Sequence, residues 1–156
     1  MHELILLRHA HAANAQSGQA DSDRPLSLTG EAEADAAGAW LKSHRAHPLR
    51  VLCSPSVRTR QTLERVLARI DYADTRYEPA IYEATAGNLM SLLDAHNEPS
   101  QVLLVGHNPG IETLVALLAT GQSGEFRGVP PAGIAWFEIG GDIEPGAGRL
   151  KAFWSP

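Results

Sequence analysis

The chain reads as an α/β protein: a three-layer α/β/α sandwich around a mixed, mostly parallel sheet. Three observations predict this. Leu4 to Leu7, Val51 to Cys53 and Val102 to Val105 are short aliphatic runs of the kind that strands buried on both faces require. Between them lie segments whose apolar residues recur at helical spacing. The last part of the chain carries two strand-like stretches joined by a glycine-rich segment, which suits an antiparallel pair at or near a sheet edge. The implied order is β-α-β-α-(β)-α-β-α-β-β. At 156 residues, and with no linker or repeat, residues 1–156 are expected to form one domain.

Each element has its own signals. After the first strand, residues 11 to 28 are small and polar. Thr29 then reads as an N-cap with Glu31 and Glu33 behind it, and the alanine-rich helix that follows is expected to bury Ala32, Ala36 and Trp40. After the second strand, Ser54 can cap a helix with Pro55 at its first position, and Leu63, Val66, Leu67 and Ile70 form its buried stripe. Residues 71 to 83 look irregular apart from a short strand around Arg76-Tyr77, and Asn88 to Ala95 read as a short helix. Asn108 and Pro109 open the next helix, whose stripe is Ile111, Leu114, Val115 and Leu118 and which Gly121 ends. Ile134 to Ile139 and Leu150 to Trp154 are the closing strands, and the loop from Glu125 to Gly133 borders the site or merely connects elements.

Composition narrows the function. A formal charge of −5 gives no reason to expect a nucleic-acid partner. No apolar run approaches the roughly 18 residues that cross a bilayer, and Glu3 followed by four aliphatics is no secretory signal. The single Cys53 cannot form an internal disulfide, so a cytoplasmic location is expected, with Cys53 as a small core residue. Trp40, Trp136 and Trp154 read as packing residues, and His2, His44, His47 and His96 as surface ones.

The chemistry concentrates where the strands stop. The three aliphatic runs end in Arg8-His9, in Ser54-Pro55 with Arg58 shortly after, and in His107-Asn108. Ligands of open α/β sheets bind at the carboxyl edge of the strands, so these groups point to one anion site. Arg8 and Arg58 can each fork two N–H donors onto a phosphate, and His107 can add another. His9 is the candidate nucleophile. A backbone carbonyl holding one ring N–H would leave the other nitrogen's lone pair free, and nearby arginines would keep the ring unprotonated. Arg24 and Asn108 are secondary substrate-binding candidates, with loop anchoring and helix capping as their competing roles. His9 and His11 at strand spacing could face a metal, but no further ligands accompany them and the arginines would repel a cation, so no metal and no cofactor is expected.

Arg8-His9-Ala10, Asp21-Ser22-Asp23-Arg24-Pro25-Leu26, Ser54-Pro55 with Arg58 and Gln61-Thr62, and Gly106-His107-Asn108-Pro109 together resemble the histidine phosphatase superfamily. Its fold is phosphoglycerate mutase-like. More narrowly, the chain is similar to the compact SixA-type protein phosphohistidine phosphatases. The resemblance implies that His9 is the phosphorylated nucleophile, that Arg8, Arg58 and His107 form the phosphate pocket, and that Glu83 stands where the wider family carries its proton donor. Ala10 replaces the signature glycine and keeps the position small. Only 23 residues separate Glu83 from His107, which implies a fold without a cap domain and an open site.

The expected activity is hydrolysis of phosphohistidine on a phosphotransfer-type protein through a covalent phosphohistidine on His9, with no metal. Within the same chemistry the competing reading is a phosphomonoesterase acting on a small phosphate ester, for which Glu83 would protonate the alcohol leaving group. A catalytically inactive phosphate-binding module and a metallohydrolase using His9 and His11 are the competing readings from different classes. A monomer is the expected assembly.

Overall fold

The computed structural model describes residues 1–156. The strands are β1 (Glu3–Arg8), β2 (Arg50–Cys53), β3 (Thr75–Tyr77), β4 (Gln101–Gly106), β5 (Ile134–Ile139) and β6 (Gly148–Trp154). The helices are α1 (Leu28–Ser43), α2 (Val57–Leu67), α3 (Ala86–Ala95) and α4 (Gly110–Thr120), with short 3-10 turns at Asp21–Asp23 and Pro79–Ile81. No helix is long and apolar enough to cross a membrane.

All six strands join one sheet in the order β3-β2-β4-β1-β5-β6. The first four run parallel, while β5 is antiparallel to β1 and β6 antiparallel to β5. This is the mixed, mostly parallel sheet that the three aliphatic runs and the different tail imply. β1 and β4 occupy the centre, and their side chains are buried on both faces. The alternation of strand side chains assigns them to two cores. Leu4, Leu6, Leu52, Leu104 and Phe137 pack with Leu89, Leu93, Ile111 and Leu114 of α3 and α4. Ile5, Leu7, Cys53, Leu103 and Trp136 pack with Ala34, Ala37, Leu41, Leu63 and Val66 of α1 and α2. Helices therefore cover both faces, which makes the three layers.

The helix starts differ in detail from the sequence expectation. Ser27, not Thr29, caps α1, its hydroxyl accepting from the Gly30 N–H at 3.0 Å. The buried face is Gly30, Ala34, Ala37, Gly38 and Leu41, whereas Ala32 is exposed. An alanine at so many positions gives no contrast from which periodicity could choose a face. Gly30 is sterically required, since a Cβ there would lie 1.9 Å from the carbonyl oxygen of His11; glycine lets the first turn of α1 press on the segment after β1. Ser56, not Ser54, caps α2, and α3 begins at Ala86 behind a capping box of Thr85 and Asn88. Pro109 takes the cap position of α4, so the helix starts at Gly110, and Gly121 ends it at φ 81°. The strands at 75–77 and 134–139 lie where the sequence predicts them, and β6 begins at Gly148, two residues before the expected Leu150. The three tryptophans pack together, with Trp40 stacked on Trp154 and edge-on to Trp136. His96 is not a surface residue: its side chain is 12% exposed and its Nδ1 meets the Arg50 guanidinium at 2.8 Å.

Candidate active site

The parallel register sets the carboxyl ends of β2, β4 and β1 side by side. Arg8 pairs with Gly106, and Cys53 with Val105. The chain beyond each end is cross-braced: the His9 N–H donates to the Gly106 carbonyl at 3.0 Å, and the Ser54 N–H to the Val105 carbonyl at 3.1 Å. His9 and His107 leave neighbouring strands at the same level, and their ring centroids lie 5.2 Å apart.

His9 is fixed through its backbone and its ring. Its carbonyl accepts from the Ala132 N–H at 3.1 Å, and its Nδ1 lies 2.7 Å from the Ala10 carbonyl oxygen. A carbonyl can only accept, so the neutral ring carries its proton on Nδ1 and keeps the Nε2 lone pair free. Burial first, and then the Arg58 and Arg8 guanidinium charges, pull its pKa down to about 4. The ring is therefore neutral at pH 7.

His107 is neutral for the same reasons. Burial, followed by His9 and Arg58, pulls its pKa down to about 3. Its Nε2 lies 2.7 Å from the hydroxyl of Ser54, a fully buried residue, and its Nδ1 is buried with no protein partner. Ser54 is thus a partner of His107 and not the helix cap that its place before Pro55 suggests.

The two arginines are held by different anchors. The Arg8 Nη1 donates to the Val129 carbonyl at 2.9 Å, while its Nε–H is buried and unpartnered. Arg58 lies on the opening turn of α2, only 7% exposed. Its Nη1 donates to the Asp21 carbonyl at 2.8 Å and its Nη2 to the Asp21 carboxylate at 3.0 Å. The same carboxylate accepts from the Tyr82 hydroxyl at 2.5 Å and from Arg24 at 3.0 Å. The Tyr82 hydroxyl, Arg24 and Arg58 hold the Asp21 carboxyl well below the usual carboxylate range. Arg24 also donates from Nε to the Ala13 carbonyl, so it anchors its own loop, the competing role that its sequence context offers.

Glu83 lines a cleft of about 810 Å³ together with Asp21, Arg58, Tyr82, His107 and Asn108. Its φ of 59° lies in the left-handed region, where a non-glycine residue is uncommon. The segment is held by close approach, since a Cβ on Gly110 would stand 2.6 Å from the Ala84 carbonyl. Asn108 braces the other wall, donating from Nδ2 to Glu112 at 3.1 Å and to the Val129 carbonyl at 3.0 Å, and accepting at Oδ1 from the Glu112 N–H. Val129 thereby ties the 125–133 loop to both Arg8 and Asn108, so this loop borders the site. His11 turns away, with Nδ1 2.7 Å from the Ser27 hydroxyl, and no group of three or more His, Cys, Asp or Glu side chains is placed to hold a metal ion.

The site thus gathers Arg8, His9, Arg58 and His107 above the central strands, with Glu83 and Asn108 on the cleft wall. Sequence reasoning assigns no site role to Asp21, Tyr82 or Ser54, although Asp21 and Ser54 stand in the motifs that carry the family resemblance. Asp21 and Tyr82 are joined to Arg58 across 37 and 24 residues, with no periodicity to connect them. A buried serine directly after an aliphatic strand is the one signal that could have found Ser54.

Residues 4–95 match the family model of the histidine phosphatase superfamily (branch 1). Phosphohistidine phosphatase SixA of Escherichia coli K12 is 32% identical over 127 residues, which cover 78% of this chain and 76% of that protein. A candidate phosphohistidine phosphatase SixA from Agrobacterium tumefaciens superposes with a TM-score of 0.88 at 31% identity, over 99% of this chain and 98% of that one. The protein histidine phosphatase SixA solved in complex with tungstate gives a TM-score of 0.82 at 29% identity, over 99% and 97% of the two chains. With the family's sequence pattern over most of its length and the SixA fold from end to end, this chain belongs to the histidine phosphatase superfamily and is a phosphatase.

Proposed function

We propose that this phosphatase acts on phosphohistidine carried by a phosphotransfer-type protein, without a metal ion and through a phosphohistidine on its own His9. In the first step His9 Nε2 attacks phosphorus in line. The P–N bond to the substrate imidazole breaks, and the leaving ring takes up a proton. In the second step water attacks phospho-His9, releasing inorganic phosphate and restoring the neutral ring. The observation that carries this reading is the 2.7 Å contact of His9 Nδ1 with the Ala10 carbonyl, which leaves Nε2 as a lone-pair donor among Arg8, Arg58 and His107.

Charge spreads over the equatorial oxygens during each transfer, so prepositioned donors supply most of the catalysis. The unpartnered Arg8 Nε–H and His107 Nδ1 are buried polar atoms that an oxyanion would satisfy. Two guanidinium groups beside His9 favour an anion and repel a divalent cation. A protein substrate is supported by the short path from Glu83 to His107, which contains only α3, β4 and their connections and so offers no cap over the cleft.

Glu83 favours a second reading. A carboxyl group on the cleft wall suits protonation of an alkoxide, which a small phosphate ester requires and an imidazole leaving group does not. The deciding experiment compares kcat/KM on a phosphorylated phosphotransfer domain, an aryl phosphate and a set of sugar phosphates. The proposal expects the phosphoprotein to lead by at least about a hundredfold, a discrimination of the size that fitted substrate contacts supply. Faster turnover of a sugar phosphate would favour the second reading, and no turnover of any of them would mark a binding module.

A further inference from the structure

We infer that Ser54 is a positioning residue that sets the tautomer of His107, so that a neutral ring presents an N–H from Nδ1 to the transferring phosphoryl group. The hydrogen-bond arrangement around the Ser54 hydroxyl leads to this. Its oxygen lies 2.7 Å from His107 Nε2 and accepts, weakly, from the Ser56 N–H at 3.5 Å. No other acceptor for its proton is in reach, and Ser54 is fully buried.

Two arrangements are available. If His107 donated from Nε2, the buried hydroxyl would have nowhere to send its own proton, and Nδ1 would be left with an unsatisfied lone pair. If Ser54 donates, the hydroxyl is satisfied and a single N–H, at Nδ1, is without a protein partner. A buried polar group without a partner is costly, so the second arrangement is the stable one. It is also the one that suits an anion, because an N–H attracts an oxyanion and a lone pair repels it. The same sheet edge then holds two imidazoles with the proton on Nδ1, fixed by different partners and given opposite roles. In His9 the Ala10 carbonyl takes the Nδ1 proton and exposes a nucleophile at Nε2. In His107 the Ser54 hydroxyl caps Nε2 and leaves an unpartnered donor at the buried Nδ1. At metal sites a polar group behind the ring fixes its tautomer by accepting the ring's other N–H; here Ser54 fixes the tautomer by donating instead.

The assignment of the tautomer stands on geometry alone, whereas its catalytic meaning rests on the proposed function. The test uses the full unliganded chain with 15N-labelled histidine at about pH 7, with the His107 signals assigned by their loss in His107→Gln. Wild type is expected to show a protonated Nδ1 and an unprotonated Nε2, and Ser54→Ala to lose that single tautomer. Tungstate affinity is expected to fall about tenfold in Ser54→Ala, the size of one hydrogen bond to a charged group, and to return in Ser54→Thr. A wild-type ring protonated at Nε2 overturns the inference, and this needs no variant to fold. So does a Ser54→Ala protein that keeps the wild-type tautomer. If the tautomer is as stated but the phosphoenzyme forms without His9, the proposed function fails and the hydrogen-bond assignment stands.

Discussion

Lowering the pH should destabilise the free protein through two buried histidines. His9 and His107 have folded pKa values pulled down to about 4 and about 3 from an ordinary 6.5, chiefly by burial. The unfolded chain takes up protons near pH 6.5, but the folded chain does not until the pH is far lower. Stability from this source is therefore complete above pH 6.5, and it declines as the pH falls toward 4 for His9 and toward 3 for His107. Over the fall from pH 6.5 to about 5, each ring held neutral costs about 2 kcal/mol, so the pair costs about 4 kcal/mol. That is a large share of the roughly 5–15 kcal/mol that holds a domain of this size together. The assay is urea unfolding of wild type, His9→Gln, His107→Gln and the double variant across this range. The buffer must contain no phosphate, because an anion bound only by the folded state would add stability of its own. The surface histidines are common to all four proteins, so the differences isolate the two site rings. Each single variant should flatten the pH dependence by about 2 kcal/mol between pH 6.5 and 5. A wild-type curve parallel to that of the double variant would refute the reasoning and place ordinary, solvated imidazoles at these positions.

Three further outcomes follow from the cleft. Glu83→Gln should slow hydrolysis of phosphomonoesters by about 10²-fold or more while slowing phosphohistidine hydrolysis by less than about tenfold, measured as kcat on both substrates; equal losses would remove Glu83 as the proton donor. Asp21→Asn should tighten tungstate binding severalfold by calorimetry, because Asp21 places a carboxylate on Arg58 Nη2 while its backbone carbonyl still holds Nη1; weaker binding would mean that the carboxylate is needed to aim Arg58. Gly110→Ala should destabilise the protein by about 1–3 kcal/mol in urea unfolding, since its Cβ would strike the Ala84 carbonyl and displace the Glu83 segment. An unchanged midpoint would show that this segment yields freely.

The sheet edge was legible because physics writes it locally. An aliphatic run buried on both faces stops where polar chemistry begins, and here polar groups follow at Arg8, Ser54 and His107. Their convergence then follows from parallel register, with Arg8 beside Gly106 and Cys53 beside Val105. What the sequence concealed were partners brought in from elsewhere. Asp21 sits in a polar loop with the composition of a surface acid, yet it meets Arg58, Arg24 and Tyr82 at once. Ser54 precedes a proline and so imitates a helix cap, but Ser56 supplies the cap and frees the earlier hydroxyl for His107. The left-handed backbone at Glu83 and Ala132 has no glycine to announce it. The alanine-rich helix shows a different failure, in which low contrast between faces left the buried side undecided until the neighbouring helix was known.

The most direct measurement is to trap the enzyme during turnover of a 32P-phosphohistidine protein and map the labelled peptide. The account predicts an acid-labile, alkali-stable label on the peptide containing His9 and none in His9→Ala. A label that persists in His9→Ala, or one that survives acid on another residue, would contradict it.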